Sequence, residues 1–162
     1  MRMLRVGLPL MVGFLALAAR SVSAQSGPAD TGLVTVESHH SVAETIARFE
    51  AAVTARGWTV FTVIDHAAAA RAVGLQLDPR SVVVFGHPER DSSAMQSNPT
   101  LAIDLPMKAL VWQDGEKRVW LTYNSADYAA QALYPRHGLS IPPDARAGLA
   151  EGLRDLARQA TD

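Results

Sequence analysis

The donors in this chain best suited to proton or metal chemistry are the Asp65-His66 pair and His87. A carboxylate beside an imidazole at the end of a strand can share a proton or hold a metal ion. His87, joined by His66 and a third donor such as Met95, has the donor types that copper or zinc would use, and a thioether suits copper. Yet Asp65 directly precedes an Ala-rich run, where an Asp caps a helix and needs no reaction to explain it. The five His residues show no His-Glu-x-x-His spacing, and there is no Gly-x-Ser-x-Gly elbow. The pattern implies no resident metal or cofactor, and no set of residues dictates a reaction.

A second set suits recognition better than chemistry. Gln96, Asn98, Tyr123 and Asn124 are polar and uncharged, and they fall at strand ends or in the long segment between Gly86 and Pro106. Such groups orient a small ligand without driving a reaction. Lys108 opens a strand and can sit at a pocket mouth or in solvent. Pro106 between Asp104 and Lys108 breaks the helix that an i,i+4 ion pair would need. His66, His87, Gln96, Asn98, Lys108 and Tyr123 form the candidate ligand-binding set.

The elements that must position these residues follow from local signals. Leu33 to Glu37 alternates as a strand. Ser41 and Glu44 form a capping box, and Val42, Ile46, Phe49 and Val53 make one apolar stripe closed by Gly57. Trp58 to Ile64 is rich in β-branched and aromatic residues. Asp65 caps a short helix over His66 to Val73, ended by Gly74. Ser81 to Phe85 is continuously apolar, which predicts a central strand covered on both faces. Gly86 to Thr100 reads as irregular, with one helical turn near Ser93 to Ser97. Met107 to Gln113 and Lys117 to Tyr123 form a hairpin around Asp114-Gly115. Asp127 to Leu133 is a brief helix, and the last helix starts near Pro143 with Leu149, Leu153 and Leu156 on its buried side. The order predicts an α+β two-layer sandwich, with helices packed on one face of a mixed, mainly antiparallel sheet.

The first residues read as a secretory signal. Arg2 and Arg5 precede an apolar run from Val6 to Ala19, and Val22-Ser23-Ala24 offers a cleavage site before Gln25. The run is 14 residues, shorter than the roughly 20 that a spanning helix needs. This divides the chain into a signal peptide at 1–24, a linker at 25–31 and one domain at 32–162. It places the mature protein in the periplasm or outside the cell, not across the membrane. The mature chain carries 12 Lys and Arg against 16 Asp and Glu, a net charge of −4. Nucleic-acid binding, which needs a basic face, is disfavoured. There is no cysteine, which excludes disulfides, thiolate metal sites and a Cys nucleophile.

Several motifs, in order, carry a family resemblance. They are Phe61-Thr62-Val63-Ile64-Asp65-His66, Val84-Phe85-Gly86-His87-Pro88, Met95-Gln96-Ser97-Asn98-Pro99, Asp104-Leu105-Pro106-Met107-Lys108 and Val119-Trp120-Leu121-Thr122-Tyr123-Asn124. With these the chain resembles the family called domain of unknown function 302, from about Leu33 to the C-terminus. Where that family has Gly-Asn-Pro, this chain has Gly86-His87-Pro88. The resemblance implies a compact α+β sandwich able to pair into homodimers, and no reaction.

The functional expectation is an exported domain that binds a small molecule, without catalysis, at residues 86–106. The alternatives are an acid/base or metal-dependent enzyme using Asp65, His66 and His87, and a structural partner in an envelope assembly.

Overall fold

The computed structural model describes residues 31–162, so the signal-peptide assignment and nearly all of the linker lie outside the described residues. Five strands form one sheet: β1 (Leu33–Ser38), β2 (Thr59–Asp65), β3 (Arg80–Gly86), β4 (Met107–Gln113) and β5 (Val119–Asn124). Their spatial order is β1-β5-β4-β3-β2, and every pairing is antiparallel. The long helices α1 (Val42–Ala55) and α5 (Pro143–Thr161) pack together across one face. This is the two-layer α+β sandwich that the element order implies.

The capping signals act as their chemistry requires. Ser41 accepts the Glu44 N–H at the start of α1. Glu44 pairs instead with His40, so only half of the capping box forms. Gly57 takes φ +73 where α1 ends. Asp65 accepts the Ala68 N–H at 2.9 Å and opens α2 (His66–Ala72).

The core lies between the helices and the inward side of the sheet. Phe49 and Val53 of α1 and Leu153 and Leu156 of α5 meet Val83, Phe85, Val111 and Leu121. Phe85 is the hub, with Phe49 edge-on at 5.1 Å and Trp58 stacked at 6.1 Å. Burial of each such side chain contributes about 1.5–3 kcal/mol.

Two expectations are corrected. First, β3 is an interior strand paired with β2 and β4, but it is not fully covered on both faces. Its outward residues Val82 and Val84 are only half-buried. The register sets Ile64, Val82 and Leu110 in one row, so neighbouring side chains supply the cover. Second, Pro88–Ser97 is a full helix, α3, followed by a 3-10 turn at Pro99–Ile103. Pro88 sits at its first position and Glu89 and Asp91 in its first turn, which favours a start there despite the absence of an apolar stripe. The hairpin around Asp114-Gly115 forms as expected, with Lys117 as its left-handed residue, φ +68. Asp114 holds that turn by accepting the N–H groups of Glu116 and Arg118. After β5, α4 (Ala126–Tyr128) runs on as a π-helical turn through Leu133.

Candidate functional site

The ends of β3 and β5 and the start of β4 meet on one side of the sheet, beneath α3, α4 and the flank of α5. A partly enclosed cavity of about 80 Å³ lies there. That is several times the roughly 10–15 Å³ one water needs, so it has room for a ligand of a few heavy atoms. Phe85, Met107, Leu149 and Leu153 give it an apolar floor, with Leu105, Ala129 and Leu133 along the sides. Arg90, Asp91, Asp104, Lys108, Tyr123 and Tyr134 are its polar lining residues, with Lys108 Nζ turned to the Pro106 and Asp104 carbonyls. An apolar hollow with a few convergent polar groups is the common form of a small-molecule site.

Asp91 stands on the first turn of α3, and its Oδ2 accepts the His87 backbone N–H at 3.0 Å. Burial pushes this carboxyl above the ordinary carboxylate range; the His87 hydrogen bond and the charge of Arg90 offset only part of that. Burial also raises the Tyr134 phenol, and the charge of Asp91 adds to the effect while Arg90 opposes it. Tyr123, 5% exposed, is raised by burial against a small opposing effect of Arg154.

Beside the cavity a chain of polar contacts clasps the 98–104 segment to the 136–138 turn. His137 Nε2 lies 2.7 Å from Asp104 Oδ2, and its Nδ1 lies 2.8 Å from Thr100 Oγ1. Arg136 donates to both Asp104 oxygens, its Nε at 2.7 Å. Asn98 Nδ2 donates to the His137 carbonyl, and Thr100 donates to Asn98 Oδ1 at 2.8 Å. Burial alone would raise Asp104, but the hydrogen bonds from His137 and Arg136 and their charge outweigh it and hold the carboxyl below its ordinary value.

Of the six residues singled out from sequence, Lys108 and Tyr123 line the cavity. His87 stands at its edge as the N-cap of α3, its Nδ1 facing the Arg90 N–H at 3.5 Å. Asn98 serves the clasp. Gln96 is exposed on α3, and neither Gln96 nor Asn98 is among the lining residues. His66 is exposed at the start of α2. The register pairs Asp65 with Ser81 and Thr59 with Gly86, so Asp65 and His66 lie at the far end of β2–β3 from His87, about 20 Å along the strand. The structure does not bring those three together. Among the described residues no three His, Asp or Glu are grouped to hold a metal ion.

Asp91, Tyr134 and the Asp104–His137 pair were not picked out from sequence. Asp91 could have been found from Pro88 and the acidic first turn that follows it. The others are joined only by the fold, across 30 or more residues.

Five antiparallel strands, two long helices across one face and a hollow at one end of the sheet define a small α+β sandwich. The chain belongs to the family described as Domain of unknown function DUF302, whose family model matches residues 34–156. It is similar to two proteins called fluoride-specific ion channel FluC 1. One is from Brucella suis biovar 1 (strain 1330), 47% identical over 115 residues, covering 71% of this chain and 44% of that relative. The other is from Brucella abortus biovar 1 (strain 9-941), also 47% identical over 115 residues, with 71% and 41% covered. The chain spans less than half the length of these curated relatives. A crystal structure of an uncharacterized conserved DUF302 protein from Bacillus stearothermophilus shares the fold, with a TM-score of 0.66 at 17% identity over 80% of this chain and 98% of that one.

Proposed function

We propose that this is an exported, non-catalytic binding domain that holds a small molecule in the cavity at the end of β3, β4 and β5. The observation that carries the reading is the partly enclosed, mainly apolar hollow lined by Asp91, Tyr123 and Tyr134. The long segment after Gly86, now seen as α3 and a 3-10 turn, supplies one wall of it. Native mass spectrometry of the protein from its own host should find a small adduct on the wild type. Ala129→Leu, which fills the hollow, should lose it. Equal adduct on both would contradict the reading.

A second reading, an interaction module in an envelope assembly or a homodimer, is favoured by a separate feature. Phe61, Val63 and Ile64 of the edge strand β2 are exposed, as are Val73, Leu75 and Leu77 just after α2. An exposed apolar edge of this kind is a common docking surface. The Brucella relatives carry the name of fluoride channels and are more than twice as long as the part this chain matches. Among the described residues no helix is long and apolar enough to cross a membrane. The name and length of those relatives support reading this chain as a domain of the kind that accompanies a channel. Size-exclusion chromatography with light scattering on wild type and Leu75→Lys tests this second reading.

A further inference from the structure

The geometry points to a small organic cation, a primary amine or methylated ammonium of about three to five heavy atoms, as the class of ligand this cavity takes. This rests on the binding reading above and deepens it.

Two carboxylates line the cavity, and their situations differ. Asp104 is fully engaged by Arg136 and His137. Asp91 has no ion-pair partner among the described residues, and one backbone N–H is its only hydrogen bond there. The His87 N–H and the charge of Arg90 offset only part of the burial of this half-buried carboxylate, and a cation inside the hollow would supply the rest.

Two cations, Arg90 and Lys108, also line the cavity, and the head group of each is engaged by other partners. The Arg90 guanidinium lies over the Trp58 ring at 5.9 Å. Lys108 Nζ reaches the carbonyls of Pro106 and Asp104 at 3.1 and 3.4 Å, on an exposed side chain.

The walls suit the same class of ligand. Phe85, Tyr123 and Tyr134 present aromatic rings to the cavity, and ring faces attract ammonium groups. Tyr123 is almost fully buried, and no described residue hydrogen-bonds its hydroxyl. The volume of about 80 Å³ suits a ligand of a few heavy atoms.

The test is thermal unfolding of the full chain titrated with ethylammonium chloride or sodium propionate, each balanced with sodium chloride to constant ionic strength. Ethylammonium should raise the midpoint saturably and propionate should not. Asp91→Asn keeps an oxygen for the His87 N–H but removes the charge, and should weaken the amine effect at least tenfold. Tyr134→Phe should weaken it as well, which keeps the test alive if Asp91→Asn folds poorly. A saturable shift with propionate alone would overturn the ligand class and leave the cavity reading standing. An amine effect unchanged in both variants would place the amine elsewhere and overturn the proposal. No saturable shift with either probe would count against both the class and the binding reading.

Discussion

The Asp91 carboxylate fills the space that a side chain at Gly86 would occupy, its Oδ2 lying 2.5 Å from where a Cβ would sit. The same oxygen accepts the His87 N–H, so one atom explains a glycine at the end of β3, caps the start of α3 and fixes a carboxyl at the cavity. Gly86→Ala should displace Asp91 and cost about 1–3 kcal/mol in urea unfolding. A loss below about 0.5 kcal/mol would show that the carboxylate swings aside freely.

Asp104 and Asp91 should respond to pH in opposite directions. Asp104 is held below its ordinary value, so its contribution to stability is present above about pH 4 and lost as pH falls through the lowered value. Asp104→Asn should therefore cost about 1–2 kcal/mol at neutral pH, and that difference should vanish in acid. Asp91 is raised, so its contribution is full below about pH 4 and lost as pH rises through the raised value. Asp91→Asn should leave the neutral-pH midpoint equal or higher. Denaturant curves of wild type and both variants across pH check the two signs.

Asp65 has a structural role in this account. Asn caps about as well as Asp, so Asp65→Asn should be nearly silent, while Asp65→Ala should cost about 1 kcal/mol. Equal large losses in both variants would point to a role for the charge.

Export leads to a mass measurement. Intact-mass analysis of the periplasmic fraction should show a chain starting at or near Gln25. A full-length species held in the membrane would contradict it.

What could be read from the sequence was local. Ser41, Gly57 and Asp65 act on their own backbone neighbourhood, and each took its place as read. α3 was hidden because Pro88–Ser97 buries no side chain fully and has no apolar stripe to betray it. The incomplete cover of β3 has a related cause. A continuous apolar run such as Val82-Val83-Val84 is covered by α1 and α5 on one side and by its own row neighbours on the other. At the candidate site, Lys108 and Tyr123 were within reach because they mark strand ends. The clasp was not, since Asp104 meets His137 only once α3, the 3-10 turn and the π-helical turn have folded.

The most direct test of the binding site is a pair of ¹H–¹⁵N NMR spectra of the labelled domain, with and without the small-molecule extract of its host. Shifts should cluster at the amides of residues 85–91, 104–108, 123–134 and 149–153. Unmoved cavity amides, or shifts confined to Phe61, Ile64 and Leu75, would contradict it.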